Sequence, residues 1–196
     1  MYNMSVVNIS KINLHDIVVK SPVKKNDQYY SGISLKQKKM FIQFSNVTIQ
    51  DLSNFTVKLS NKQCNSMIQL ERYFIQKLSE NSKSWFNTNL TENQINDNYL
   101  TTMQGNSLKL HTKNVRTFDG DQNEIDFNTL KCGNNVTIIV HFSGLKFWST
   151  KITNQLELLQ IKRNINLSTD ILFIDEDTEE EYTSGEDEGM YHRRNS

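Results

Sequence analysis

Aromatic and basic residues are interleaved in two stretches of this chain, one near residue 30 and one near residue 148. Lysine and arginine side chains neutralise phosphates, and aromatic rings stack on unpaired bases, each stacked base contributing about 1–3 kcal/mol. This combination of residue types therefore predicts a surface for a single-stranded nucleic acid, DNA or RNA. The candidate residues are Tyr29, Tyr30, Lys36, Lys38, Lys39, Lys109, Lys113, Arg116, Lys146, Trp148 and Lys151.

The aromatic residues divide into two groups by their sequence surroundings. Tyr29, Tyr30 and Trp148 each lie at the end of a predicted segment beside polar or basic residues, which favours a stacking role. Phe41 and Phe147 lie within apolar patterns, which favours the hydrophobic core. Lysines also flank strands in many soluble proteins, so a purely solubilising role for them is the alternative.

Catalytic motifs are not found in the sequence. It has no Gly-rich phosphate loop, no Gly-x-Ser-x-Gly motif and no His-Glu-x-x-His motif, and its four histidines lie far apart. The acidic positions from Asp119 to Asp126 lack the bidentate glutamate of a calcium loop, and a hairpin turn explains them equally well. We therefore expect a protein that is not an enzyme and needs no metal or cofactor.

Charge is segregated along the chain. Residues 170–196 contain 10 acidic side chains and two arginines, whereas residues 1–169 contain 20 Lys and Arg against 12 Asp and Glu. A basic body suits a polyanionic ligand, and an acidic tail can restrain that binding by competing with it. The regulatory acidic residues are predicted to be Asp175, Glu176, Asp177, Glu179, Glu180, Glu181, Glu186, Asp187 and Glu188. The alternatives for this tail are a contribution to solubility and docking to basic replication or virion proteins.

The cellular location is predicted from what the sequence contains. No stretch approaches the roughly 20 apolar residues of a membrane span, and the N-terminal residues do not resemble a signal peptide. Cys64 and Cys132 are far apart and are expected to be free thiols in a reducing compartment. We therefore expect a soluble intracellular protein that is neither secreted nor bound to a membrane.

The secondary structure predicted from periodicity is mainly β. Strands are expected at residues 5–14, 29–35, 40–49, 54–59, 108–113, 115–118, 124–127, 135–142 and 155–162, with residues 143–148 opening the connection between the last two. One principal helix is expected at residues 66–83, begun by a capping box of Ser66 and Gln69. A second helix is expected to begin at Thr91 and to end at Gly105.

These elements predict the fold class and the domains. Many short strands with one helical insert indicate an OB-like curved sheet or barrel, an architecture whose groove often holds single strands. Residues 1–169 are expected to form this nucleic-acid-binding domain. Residues 170–196 are expected to be disordered because they are acidic and contain few apolar residues.

The order of several segments resembles a viral protein family. The segments are residues 33–43, the Ser-x-x-Trp-Phe element within 81–86, residues 130–133, the Gly-Leu-Lys-Phe turn at 144–147 and residues 159–162. They are similar to the single-stranded-DNA-binding protein family of nucleocytoplasmic large DNA viruses, of the African swine fever virus type. The resemblance covers about residues 5–165. It implies an OB-like core, a role in viral DNA replication or packaging, and a location in the host cytoplasm, the viral factory or the virion.

Two functions therefore follow from the sequence. The first is single-stranded DNA binding, largely independent of base sequence, through a basic aromatic groove that the acidic tail modulates. The second is a non-enzymatic virion or scaffold protein that acts through protein contacts. Loss of affinity for oligo-dT with rising salt separates the two, because each phosphate contact releases counterions.

Overall fold

A curled, mixed β-sheet, in which most strand pairs are antiparallel, is the main element of the computed structural model, which describes residues 6–164. The strands are β1 (Val6–Asn8), β2 (Ile17–Val19), β3 (Val23–Lys25), β4 (Gln28–Leu35), β5 (Lys38–Asp51), β6 (Thr56–Lys58), β7 (Tyr99–Leu100), β8 (Met103–Gln104), β9 (Ser107–Lys109), β10 (His111–Phe118), β11 (Glu124–Ile125), β12 (Asn135–Trp148) and β13 (Lys151–Arg163). The helices are α1 (Asn61–Phe86) and α2 (Glu92–Asn96), with 3-10 turns at Ile9–Lys11, Leu14–Asp16 and Phe127–Thr129.

Strand β12 lies at the centre of the sheet. The strand order is β11-β10-β13-β12-β4-β5-β6-β9-β8. The first part of β12 pairs with β5, and residues 144–147 pair with β4. Because β4 and β5 also pair with each other, the sheet has to bend where β12 passes from one partner to the other. This bend, together with the one principal helix, confirms the predicted fold class of a curved β-sheet with a helical insert.

The core lies on one face of this sheet. Val136, Ile138, Val140 and Phe142 alternate along β12 and are each fully buried, as a strand with one covered face requires. Register irregularities follow Ile139 and Phe142. After the second irregularity Leu145 and Phe147 take the core side, so Lys146 and Trp148 point to the other side.

Helix α1 covers the core face and is longer than predicted. Met67, Leu70, Phe74 and Leu78 are all buried at helical spacing, and the Phe74 ring packs edge to face on Phe142 at 5.2 Å. These contacts fix the helix against the centre of the sheet.

The predicted start of α1 at Ser66 is wrong. Ser60 is the N-cap, and its side chain and that of Gln63 form the capping box. The Gln63 amide also donates to the carbonyl of Ser45 on β5, at 2.8 Å, which favours this start. The Ser66 hydroxyl instead donates to the Lys62 carbonyl one turn earlier.

Helix α2 begins as predicted but ends early. Thr91 and Gln94 form the expected capping box, and the helix ends at Asn96. The predicted continuation to Gly105 is wrong, because Tyr99 pairs with Ile152 of β13 in the short strand β7. Sheet pairing therefore overrides the helical spacing of the apolar residues beyond Asn96.

The segment 143–148 is strand, and its prediction as the start of a connection is wrong. Strands β12 and β13 pair as far as Trp148 and Lys151, so the connection is the two-residue turn of Ser149 and Thr150. Ser149 adopts a φ of 52° there. The irregularity after Phe142 interrupts the alternation of apolar residues, and this interruption obscured the continuing strand.

A buried carboxyl group ties α1 to the end of the sheet. Glu71 accepts hydrogen bonds from the Thr101 hydroxyl at 2.8 Å and from the Asn154 amide at 2.7 Å. Asn154 in turn accepts a hydrogen bond from the Tyr99 hydroxyl. Burial raises the pKa of Glu71, although these hydrogen bonds oppose the rise. Burial, together with the nearby Glu71, also raises the pKa of Tyr99.

We expect the stability difference between the wild type and the Glu71→Gln variant to depend on pH. The folded state holds the Glu71 proton more tightly than the unfolded state, so protonation favours folding. The wild type should therefore lose stability relative to Glu71→Gln as the pH rises from the ordinary value of 4.5 through the raised pKa. The change should reach at most about 1.4 kcal/mol per pH unit. Urea unfolding of both proteins across this range measures it, and a pH-independent difference would contradict it.

Other sequence predictions have mixed outcomes. Cys64 is buried and Cys132 is exposed, and both are free thiols, as expected. Within residues 6–164, no helix is long and apolar enough to cross a membrane. The acidic tail at 170–196 lies outside the described residues, so its predicted disorder and the predicted domain boundary stay predictions.

Candidate nucleic-acid interface

The candidate interface is the face of β5, β12, β13 and β10 that points away from the core, called here the outer face. Residues that are registered partners on neighbouring strands share a face. The side chains of the outer face are Tyr30, Lys39, Phe41, Gln43, Arg116, Phe118, Thr137, Ile139, His141, Lys146, Trp148, Lys151, Thr153, Gln155, Glu157, Gln160 and Lys162. The face therefore combines basic, aromatic and polar residues with few carboxylates.

The end of the β12–β13 hairpin contains the densest group of predicted residues. Lys146 is the cross-strand partner of Tyr30, and Trp148 is the partner of Lys151. Trp148 lies on the same face as Lys146, two residues further along β12, and is 47% exposed. The ammonium group of Lys25 lies 5.8 Å from the centre of the Tyr30 ring. We call these five residues the hairpin cluster.

The Tyr30 ring is held in place at the edge of this cluster. Its hydroxyl donates to the Gln28 side chain at 2.7 Å, and its neighbour Ser31 is fully buried. Diagonal neighbours on two strands lie about 7–8 Å apart. Tyr30 and Trp148 are therefore spaced as two separate stacking positions, and Lys146 is the strand neighbour of both.

The middle of the outer face contains a histidine and a phenylalanine. The rings of Phe41 and His141 lie 5.0 Å apart with a 31° angle between their planes. Phe41 is only 7% exposed, so its main role is to support His141. Burial, and then the positive charge of Lys39, lowers the pKa of His141, while Glu157 acts in the opposite direction. His141 is therefore expected to be neutral at pH 7.

The β10 end of the outer face has a groove with a volume of 550 Å³. Its walls include Phe118, Gln160 and Lys162. The Arg116 guanidinium lies 5.1 Å from the centre of the Phe118 ring. Arg116 also forms a bidentate pair with Glu124, at 2.9 and 3.1 Å, which lowers the pKa of that carboxyl. This exposed pair reduces the positive charge that Arg116 offers to a phosphate.

Tyr29 lies on the opposite face from Tyr30. It pairs with Phe147 across β4 and β12, and both rings line a cavity of 850 Å³ with Trp85 and Phe86. We call this the ring-lined cavity. Tyr29 is 48% exposed, so it is available as predicted, but the fold separates it from the hairpin cluster.

The remaining predicted lysines are spread over other parts of the fold. Lys36 lies in the β4–β5 turn and pairs with Asp16 at 3.4 Å. Lys38 follows that turn on the side opposite to Lys39. Lys113 lies in the irregular part of β10, and Lys109 lies on β9 near the other end of the sheet order. The structure therefore does not bring these four lysines into the hairpin cluster.

Several residues of the interface were not among the predicted site residues. Lys25 lies beside Tyr30, and Phe118 and Lys162 form the groove near Arg116. The sequence had no signal for Phe118, because its partner Lys162 is a neighbour only through the parallel pairing of β10 with β13.

Metal ligands are not clustered in the described part of the chain. Among residues 6–164, no group of three His, Cys, Asp or Glu side chains could hold a metal ion. The acidic turn after Phe118 is a hydrogen-bonded loop, in which Asp119 accepts from the backbone of Asp121 and Asn123 at 3.0 and 2.8 Å.

Comparison with known proteins gives a family and a structural likeness. No curated protein sequence matches the chain. Among solved structures, the single-stranded DNA-binding protein from bacteriophage Enc34 has 10% sequence identity and a TM-score of 0.42, over 74% of this chain and 89% of that chain. The same phage protein in complex with ssDNA has 10% identity and a TM-score of 0.39, over 74% of this chain and 94% of that chain.

The family model covers residues 45–175 and is described as a family of unknown function, DUF5871. This description does not mention large DNA viruses, so the resemblance to that viral group stays a prediction. The matched region begins within β5, runs through α1 to the end of β13, and contains the strands β10, β12 and β13 of the outer face. Because it is more than half of the sequence, the chain belongs to the DUF5871 family of unknown function.

Proposed function

We propose that this protein binds single-stranded DNA, largely without base-sequence preference, through the outer face. The observation that carries the proposal is the hairpin cluster, in which Lys146 pairs across the strands with Tyr30 and shares a face with Trp148, which is two residues further along β12 and 47% exposed. Sequence-independent binding needs this combination of cations for the backbone and rings for the bases. A role in viral replication or packaging is part of the proposal and derives from the sequence resemblance.

The charge of the described region supports the same ligand. Residues 6–164 contain all 20 Lys and Arg of the basic body and its 12 Asp and Glu. Three of the carboxylates, Asp16, Glu80 and Glu124, are each paired with one basic side chain, and Glu71 is buried. The charge that remains free on the surface is therefore predominantly positive and favours a polyanion.

The acidic residues of 170–196 are proposed to weaken this binding by their charge. Carboxylates compete with phosphates for the same cations, and the competition decreases as salt screens it. Deletion of residues 170–196 should therefore raise the affinity for oligo-dT at low salt. The gain should shrink as the salt concentration rises.

Fluorescence anisotropy of labelled oligo-dT tests this prediction with the full chain and the variant lacking 170–196. Between about 50 mM and about 200 mM salt, both affinities should fall, with a slope that reflects several phosphate contacts. Equal affinities for the two proteins at low salt would contradict the role of the tail while leaving the binding intact. No binding of either protein at about 50 mM salt would contradict the proposed function and favour the virion or scaffold alternative.

A further inference from the structure

The ring-lined cavity lies on the opposite side of the sheet from the hairpin cluster, of which Lys151 alone also lines the cavity. It lies between the end of α1, the α2 region and the tip of the β12–β13 hairpin, and its volume is 850 Å³. Pockets of about 300–1,000 Å³ commonly hold small organic ligands. We infer that this cavity takes one unpaired base of a single strand that is bound to the outer face. This inference rests on the proposed function.

The aromatic rings that line the cavity are only partly buried by the hydrophobic core. Tyr29 is 48% exposed, and Trp85, Phe86 and Phe147 are partly buried at the edge of the core. Phe86 and Phe147 lie 5.7 Å apart at an angle of 56°, and Trp85 meets Phe86 edge to face. Because the rings are tilted against one another, neither pair is stacked face to face. They offer flat apolar surfaces to a planar ligand.

The polar side chains of the cavity distinguish a base from a purely apolar ligand. The amide-bearing residues Asn87, Gln94 and Asn98 line it, and so do the carboxylate of Asp97 and the hydroxyl of Thr150. Amides and carboxylates form hydrogen bonds with the edges of bases. Gln94 already accepts from the Thr91 backbone and Asn98 already donates to the Gln94 carbonyl, so the polar side chains expected to meet a base edge are Asn87, Asp97 and Thr150. Asp97 also repels a phosphate, so the base and not the backbone is expected to enter.

The path between the two sites is short. Phe147 and Trp148 are consecutive residues of β12 and point to opposite faces, one into the cavity and one to the outer face. Successive residues of a strand lie about 3.3 Å apart. The turn at Thr150 and the side chain of Lys151 line the cavity beside this tip. A strand that stacks on Trp148 can therefore cross the hairpin tip and place its next base in the cavity, with Lys151 near its phosphate.

The two tryptophans of the chain provide a separate reporter for each site. Trp85 lines the cavity, whereas Trp148 lies on the outer face. The Trp148→Phe variant leaves Trp85 as the only tryptophan, and the Trp85→Phe variant leaves Trp148. Both substitutions retain an aromatic ring, and matching thermal unfolding curves would show that both variants fold.

Titration of each variant with oligo-dT tests the inference. We expect quenching of both Trp85 and Trp148 with the same midpoint. Quenching of Trp148 alone would overturn the cavity inference and leave the proposed function standing. No quenching of either, together with no anisotropy change of the oligonucleotide, would overturn both.

Two further measurements test whether Trp85 responds to DNA only indirectly and whether the cavity is instead a site for free nucleotides. Oligo-dT that carries 5-iodouracil should photo-crosslink to a peptide containing Trp85 and Phe86 as well as to one containing Trp148. Crosslinks to the Trp148 peptide alone would show that Trp85 responds indirectly and would overturn the inference. The mononucleotide dTMP should quench Trp85 only at much higher nucleotide concentrations than oligo-dT does. Equal potency would identify a free-nucleotide site and would also overturn it.

Discussion

Replacement of Trp148 by alanine is expected to raise the Kd for oligo-dT by roughly 5- to 150-fold. The loss of one stacked base costs about 1–3 kcal/mol, and 1.4 kcal/mol corresponds to about a tenfold change in affinity. Trp148 is 47% exposed and ends a strand, so its truncation should change the free energy of unfolding little. Fluorescence anisotropy of labelled oligo-dT at low salt measures the Kd of the variant and the wild type.

Two controls separate stacking from a general loss of apolar surface. Trp148→Phe keeps a ring and should retain most of the affinity. Ile68→Ala removes a side chain that is 40% exposed on α1, away from the outer face, and should leave the Kd unchanged. If Trp148→Ala binds oligo-dT as tightly as the wild type does, the hairpin cluster is not the binding site.

Much of the fold follows from periodicity in the sequence. The alternation of Val136, Ile138, Val140 and Phe142 predicts a strand with one covered face, and the helical spacing of Met67 to Leu78 predicts α1. Both predictions are confirmed because the local pattern and the tertiary packing agree. Errors arise where tertiary contacts decide the structure, as at Tyr99, which pairs with β13 instead of continuing α2.

Only part of the candidate site could be predicted from residues that are close to one another in the sequence. Lys146, Trp148 and Lys151 are close in sequence and lie at one hairpin tip, so they could be grouped in advance. A strand places Tyr29 and Tyr30 on opposite faces, but which of the two lies beside Lys146 depends on the pairing of β4 with β12. The groove near Phe118 depends on a parallel pairing between distant segments, for which the sequence has no local signal.

The hairpin cluster depends on a close approach of two strands at a pair of glycines. Gly144 of β12 is the registered partner of Gly32 of β4, and Lys146 and Tyr30 pair two residues further along. Gly144 has a φ of 154°, which side-chain-bearing residues rarely adopt. A Cβ atom at Gly144 would lie 2.1 Å from the carbonyl oxygen of Ser31. The two backbones can therefore lie this close only because residue 144 has no side chain.

The Gly144→Ala variant should lose at least about 3 kcal/mol of its free energy of unfolding. Unfavourable backbone dihedrals cost about 1–3 kcal/mol, and the clash with a backbone atom adds to this because β4 has to move away from β12. Gly32→Ala is the matched control, since its Cβ would meet only the flexible Lys20 side chain at 3.7 Å. That variant should change stability by less than about 1 kcal/mol.

Urea unfolding of the two variants and the wild type, followed by tryptophan fluorescence, measures this difference. Equal stabilities for Gly144→Ala and Gly32→Ala would show that β12 and β4 do not approach each other as described. If the strands do separate in Gly144→Ala, Lys146 loses its position beside Tyr30. Any folded fraction of this variant should then bind oligo-dT more weakly than Gly32→Ala does, which connects the backbone geometry at residue 144 directly to the proposed binding surface.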